Sequence, residues 1–294
     1  MRLKTGRNTT ALFSPNAAHK TLTSGYLPEN RVRNWIMAIA ISVLPIAATA
    51  QDSGLKSLET SDSGRDWMAV GRLDIAGGGF CTGTLVSPDL VLTAAHCLFD
   101  KATGKRVNPA DIEFLAGWRL GRALAYRTAR QAVVHPDYKY SAIASKDRVR
   151  ADIALIELWQ PIRSTSVVPF ETGVQPTRGE DVGVVSYAQD RAEAPSLQQV
   201  CSVMNRNSGI LVMSCDVNFG SSGAPVFSFS ETRPQIVSVV AAKASMDGQS
   251  VAIATSVENS LELLRAELDA GRGYGLSAPG NDTGKNVGAR FIRP

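Results

Sequence analysis

Three short stretches carry the residue types from which nucleophilic acyl chemistry is built. Asn218-Phe219-Gly220-Ser221-Ser222-Gly223-Ala224-Pro225 sets a serine between glycines, closes with proline and runs into the apolar Val226-Phe227. Glycine frees the backbone to present a hydroxyl on a sharp turn, and the N–H groups of such a turn can converge on the oxyanion of a tetrahedral intermediate. Gly-Ser-Ser-Gly is also ordinary turn and linker composition, so the motif gains meaning from a base and an acid elsewhere. Leu92-Thr93-Ala94-Ala95-His96-Cys97 supplies the base, and Ala151-Asp152-Ile153-Ala154-Leu155 the acid. An imidazole must take the serine proton, and a carboxylate must fix the imidazole's tautomer and stabilise its charged form. The chain order is His, Asp, Ser, unlike the Ser, Asp, His order and GxSxG elbow of lipase-like esterases.

Taken together and in order, TAAHC (93–97), DIAL (152–155) and GSSGAP (220–225) resemble the His, Asp and Ser boxes of the trypsin/chymotrypsin-like serine proteases. Cys215-Asp216 shortly before the serine box is similar to the bacterial branch that includes glutamyl endopeptidases. The resemblance runs from about Trp67 to about Leu264. It implies an all-β fold of two six-stranded antiparallel β-barrels with the active site in the cleft between them and a C-terminal helix. It implies His96, Asp152 and Ser222 as catalytic residues, Gly220 and Ser222 as oxyanion donors, and a protein or peptide substrate with no cofactor. It also implies disulfides Cys81–Cys97 and Cys201–Cys215. In digestive relatives a freed apolar N-terminus pairs with an Asp just before the nucleophile; here that residue is Ser221 and no Ile-Val-Gly-Gly start is present, so that activation switch is not expected. A protease fold that has lost its chemistry and acts as a binding protein is the rival reading.

Specificity is open at this point. Asp216 lies six residues before Ser222, where trypsin-like members place the acid that binds Arg or Lys. An ungapped alignment sets Ala241-Ala242-Lys243 on the pocket wall, where Lys243 would attract an acidic side chain. Basic and acidic substrates are therefore rival expectations.

The elements around the boxes read as mostly strands. Phe80–Ser87 and Leu90–Thr93, joined by Pro88-Asp89, form a hairpin that delivers His96. Further strands are expected at 112–115, 129–134, 182–187, 198–203, 210–215, 224–229, 236–241 and 251–257, and Asp152 opens a half-buried one. Many short strands at this spacing argue for barrels or a sandwich. A buried carboxylate at the head of an apolar strand is costly unless paired, and His96 would pair it. Lys146–Arg150 reads as a solvated loop, Glu258–Leu268 as an amphipathic helix, and His135 as a turn residue. Gly77-Gly78-Gly79 lacks a following GK[ST] and reads as a turn rather than a phosphate loop.

Residues 1–50 read as an export signal with a long n-region: the apolar run Trp35–Ala48 follows Arg31 and Arg33 and leads to Ala48-Thr49-Ala50, a small-x-small cleavage pattern. The run is short for a membrane span. These fifty residues hold six Lys/Arg and one acid, so the chain's +4 becomes −1 for residues 51–294. The remaining cations are scattered, which argues against a nucleic-acid partner. An exported protein, secreted or periplasmic, keeps its cysteines oxidised; with three histidines in 294 residues and no paired CxxC, a metal site is not expected. Residues 51–66 read as a flexible segment or propeptide, 67–270 as the protease domain (barrel one about 67–160, barrel two about 165–257, helix 258–268), and 271–294 as a disordered tail.

Overall fold

The computed structural model describes residues 54–76, 79–141, 143 and 145–275; the expected export signal lies outside these residues, as does the tail beyond 275. The first barrel is built from β2 (Val70–Ile75), β3 (Gly79–Ser87), β4 (Leu90–Thr93), β5 (Ile112–Ala116), β6 (Ala125–Val134) and β7 (Ala154–Leu158). Their order is β6-β5-β2-β3-β4-β7, and β7 pairs back onto β6 to close the ring. The second uses β8 (Asp181–Ala188), β9 (Arg191–Asn207), β10 (Ile210–Met213), β11 (Pro225–Ser228), β12 (Gln235–Met246) and β13 (Gln249–Ser256) in the order β9-β10-β13-β12-β11-β8, closed by β8 on β9. All of these pairings are antiparallel. Closure removes most of each ring's open edge, and the two expected six-stranded barrels are what the chain forms.

Alternation along these strands sends Leu85, Val91, Phe114 and Leu155 inward in the first barrel and Val184, Leu211, Val226 and Ala254 inward in the second, all buried. Aromatic rings pack in the seam between the barrels: the Trp67 and Phe227 centroids are 5.0 Å apart, those of Phe170 and Phe227 4.7 Å. Edge-to-face and tilted pairs of this kind add to the area they bury.

Three stretches differ from the sequence expectation. Within 51–66, Leu55–Ser57 forms β1, which pairs with β9, and Leu58 is buried; the free edge of β9 supplies the hydrogen bonds that this polar segment could not supply alone. Lys146–Arg150 is a one-turn helix, α1, capped by Ser145, whose Oγ accepts from Arg148 N–H, with Val149 turned into the core. At the other end, helix α2 (Ser260–Asp269) is followed by β14 (Tyr274–Gly275), which pairs with β6. Thus the segment from 271 to 275 is ordered strand and turn. Among the described residues no helix is long and apolar enough to cross a membrane.

Candidate active site

Each expected residue is set by a different element. His96 sits in a single 3-10 turn, Ala95–Leu98, immediately after β4; the small Ala94 and Ala95 are fully buried and let the turn press against the barrel. Asp152 follows α1, with its backbone N–H donating to the Val149 carbonyl at 3.1 Å. The missed helix is therefore what aims the carboxylate. Oδ2 of Asp152 meets His96 Nδ1 at 2.8 Å, and Oδ1 accepts the backbone N–H of His96, also at 2.8 Å. One carboxylate thereby holds both the ring and the main chain of the histidine. Burial leaves the Asp152 side chain 1 % exposed and that of His96 12 %, so the pair lies in a medium where its attraction is poorly screened.

Ser222 lies on the loop between β10 and β11. Its carbonyl accepts from Thr82 N–H at 2.9 Å, and the Thr82 hydroxyl donates to the Gly220 carbonyl at 2.8 Å while accepting from Tyr187 N–H at 3.1 Å. Thr82 lies on β3, in the first barrel, so one strand residue fastens the serine loop of the second barrel beside the strand that leads to His96. Gly223 is close enough that an added Cβ would run into Thr93 Oγ1 and the Thr82 carbonyl. The Ser222 hydroxyl makes no hydrogen bond among the described residues, and His96 Nε2 lies 4.0 Å from Cys97 Sγ.

The two adjacent serines are unlike. Ser221 is fully buried; its hydroxyl donates toward Ser186 Oγ (3.2 Å) and the Tyr187 carbonyl (3.3 Å) and accepts from Asn218 N–H (3.3 Å), with Arg191 Nη2 at 3.5 Å. Ser222 is half-buried. Backbone donors divide in the same way. Ser221 N–H bonds to the Asn218 carbonyl, Gly223 N–H to Val240 and Ala224 N–H to Ser221, whereas the N–H groups of Gly220 and Ser222 have no acceptor among the described residues. Gly220 sits at φ 96, a conformation open to glycine, with Phe80 packed against it where a side chain would be. Two unspent backbone donors in one tight turn are the kind of group that can hold an anion.

Several contributors left little trace in the sequence. Thr82 is one of many threonines in strands, and its role comes from contacts 138 residues away. Tyr138 packs its ring 5.5 Å from that of Phe99; burial, and next the Asp152 charge, push its phenol up to about 12, so it stays neutral beside the acid. His135, expected as a turn residue, accepts from Asp137 N–H through Nδ1, and burial lowers its pKa. Asp216 and Lys243, the rival specificity residues, face each other with Nζ 3.4 Å from Oδ1, and Ala241 is buried on β12. Both disulfides, Cys81–Cys97 and Cys201–Cys215, are formed. Cys81, His96 and Cys97 cluster closely, but the joined sulfurs offer no thiolate for a metal.

A trypsin-like peptidase domain model matches residues 81–234. Among characterised relatives, a glutamyl endopeptidase of Bacillus licheniformis is 25% identical over 156 residues, covering 53% of this chain and 47% of that protein. Venom serine protease 34 of Apis mellifera is 28% identical over 115 residues, 37% of this chain and 28% of that protein. The chain thus spans about half or less of these relatives' length. Of solved structures, a Glu endopeptidase in complex with MPD superposes with a TM-score of 0.61 at 18% identity, covering 74% of this chain and 97% of that one. A scabies mite inactivated protease paralogue gives 0.57 at 15% identity over 72% and 96%; at such identities these two speak for the fold alone. The family match takes in more than half of the 294 residues and contains all three boxes, and the chain belongs to the trypsin-like peptidase family of serine proteases.

Proposed function

We infer that the protein is an exported serine endopeptidase in which Ser222 is the nucleophile, His96 the general base and Asp152 the residue that orients and charges the base. The observation that carries this reading is the pair of unspent N–H groups, Gly220 and Ser222, in a loop pinned beside a histidine whose Nδ1 is already bound to a buried carboxylate. Asp152 accepting from Nδ1 leaves Nε2 as the ring's lone-pair nitrogen, the state a base requires. The reading requires the half-buried Ser222 Oγ to reach Nε2, and such contacts commonly tighten only with substrate bound.

The steps then follow. Ser222 Oγ attacks the peptide carbonyl as its proton passes to His96 Nε2, and the oxyanion is received by the N–H groups of Gly220 and Ser222. His96 hands the proton to the leaving amine, giving the acyl-enzyme. Water, deprotonated by the same nitrogen, attacks the ester and releases the acid. Export accords with the two disulfides and with the apolar run at 35–48.

The test is labelling of residues 51–294 with a fluorophosphonate. Modification of Ser222 that disappears in His96→Ala is the expected result. Folded protein that does not label would instead identify a binding protein on a protease fold.

A further inference from the structure

From Asn218 to Ser222 every main-chain carbonyl accepts a hydrogen bond. Asn218 receives Ser221 N–H at 2.9 Å, Phe219 receives Gln189 N–H at 2.7 Å and Ser221 receives Ala224 N–H at 3.0 Å. Thr82 serves the other two, its hydroxyl donating to Gly220 at 2.8 Å and its N–H to Ser222 at 2.9 Å. A trans peptide unit is planar, with each N–H opposed to the carbonyl of the residue before it, so an anchored carbonyl aims the next N–H. The Phe219 carbonyl thereby aims Gly220 N–H, and the Ser221 carbonyl aims Ser222 N–H, the two donors without an acceptor among the described residues. Their anchors differ. Ser221 is held from within its own turn by Ala224, whereas Phe219 is held from outside the loop by Gln189, which with Asp190 forms the turn between β8 and β9. The Phe219 side chain is 72% exposed and does little to fix its own peptide unit. Gly220, at φ +96, has no Cβ to resist rotation, and Cα of Ala188 lies 3.1 Å from where one would stand.

We propose that Gln189 is a positioning residue for the reaction, its main-chain N–H holding the Phe219–Gly220 peptide unit so that Gly220 N–H faces the developing oxyanion. The proposal rests on the endopeptidase reading above. Without that bond the unit can turn over by rotating only about ψ of Phe219 and φ of Gly220, and glycine takes either sign of φ. The turned unit presents the Phe219 carbonyl where Gly220 N–H had been, exchanging a donor for an acceptor that repels the oxyanion. The Ser221–Ser222 unit lacks this freedom, because Ser222 carries a side chain and the Ser221 carbonyl is bound within the turn. The β8–β9 turn is itself braced: Arg191 reaches Asp190 Oδ1 through Nη1 at 3.1 Å and Ser186 Oγ through Nη2 at 3.2 Å. One main-chain bond from a neighbouring hairpin thus sets whether the serine loop offers two donors or one.

Gln189→Pro removes the N–H at the first central position of a turn, where proline is well tolerated, and Gln189→Ala, which keeps the N–H, is its reference. With turnover expressed per fluorophosphonate-titrated Ser222, Gln189→Pro should lower kcat about a hundredfold against Gln189→Ala and leave KM roughly unchanged, as loss of one oxyanion donor does. A peptide aldehyde, whose adduct with Ser222 places an oxygen at the same donors, should lose affinity by a similar factor. A merely structural role would reduce the number of titrated sites without changing kcat per site, and that outcome overturns the proposal. So does an equal loss in the Pro and Ala variants, or a change confined to KM. Hydrogen exchange on the unsubstituted chain covers the case in which Gln189→Pro does not fold. The Gln189 amide should exchange at least about tenfold more slowly than an unprotected amide, and exchange at the unprotected rate overturns the proposal. Unsubstituted protein that labels and cleaves while these tests fail loses Gln189 as a positioning residue and keeps the peptidase, whereas protein that neither labels nor cleaves loses both.

Discussion

Gly223→Ala tests how the serine loop is held. Gly223 sits at φ +79, and an ideal Cβ there would overlap Thr93 Oγ1 and the Thr82 carbonyl and approach Ala94 N to 3.0 Å. Two of these three neighbours are main chain, and the third is fixed because Thr93 Oγ1 donates to the Thr82 carbonyl at 2.9 Å. Nothing flexible can yield, so the loop itself must. The left-handed backbone costs about 1–2 kcal/mol for an alanine, and forcing a methyl into a packed site about 1–3 kcal/mol more. A loss of roughly 2–5 kcal/mol is a large share of a typical stability of about 5–15 kcal/mol, so the variant should fold but melt early. Relief of the overlap moves Ser222 by roughly 1 Å, and a displacement of that size costs about a hundredfold in rate. Gly79→Ala is the control: its φ is +95, yet nothing lies within 4 Å of the added carbon, so it should pay the backbone term alone and keep its rate. Urea denaturation and fluorophosphonate labelling rates read the two effects. If Gly223→Ala matches Gly79→Ala in both, the loop is not held by β3 and β4 in the way the contacts imply.

The neighbouring serines should separate cleanly: Ser222→Ala is expected to lower kcat on the order of 10⁶-fold with unchanged thermal stability. Ser221→Ala should cost about 1–3 kcal/mol in a thermal melt, by stranding the buried partners of its hydroxyl, while retaining measurable turnover. In Asp152→Asn the side-chain oxygen can still accept His96 N–H, but the amide donates to Nδ1 and puts the ring proton on Nε2. Folding by circular dichroism should therefore persist while kcat falls by about 10⁴. His135 is kept neutral by burial, with its pKa below the ordinary 6.5, although Asp137 opposes that shift. The unfolded chain then binds the extra proton, so this residue's contribution is present above pH 6.5 and is lost as pH falls through the lowered folded value. Thermal melts of wild type and His135→Gln should diverge in slope over that acid window, and parallel slopes would refute the assignment.

What could be read before the structure was a set of candidate residues, because chemistry restricts residue types severely. A base, an acid and a serine on a glycine turn have few substitutes, and His96, Asp152 and Ser222 stood out for that reason. Strand alternation likewise revealed most of both barrels. The supporting contacts were illegible because they depend on partners far along the chain. Thr82 looks like any strand threonine until Gly220, Ser222 and Tyr187 are seen converging on it. Residues 55–57 are polar and too few to signal a strand, and they form one because β9 offers an edge and Leu58 finds a buried site. Charge composition at 146–150 suggested a loop, yet Ser145 begins a capped turn there, docked by the buried Val149 and by Thr255, whose hydroxyl donates to the Val149 carbonyl.

The same contacts bear on how the serine loop keeps its shape. A loop with unspent donors is held against collapse only if its other groups are satisfied, and here the residue before Ser222 is a hydroxyl rather than a carboxylate. Ser221 needs no ammonium as partner; Ser186, the Tyr187 carbonyl, Asn218 and Arg191 surround it. Arg191 opens β9, and β9 is also the strand that receives β1 and, through Pro195, the N–H of Leu58. From Leu55 onward the N-terminal segment therefore supports this barrel by strand addition. Meanwhile α2 and β14 strap the other barrel, with Arg265 donating to the Val86 carbonyl and Tyr274 pairing with Ala132. Each end of the described chain braces the barrel built from the opposite half, so the cleft is clamped from both sides.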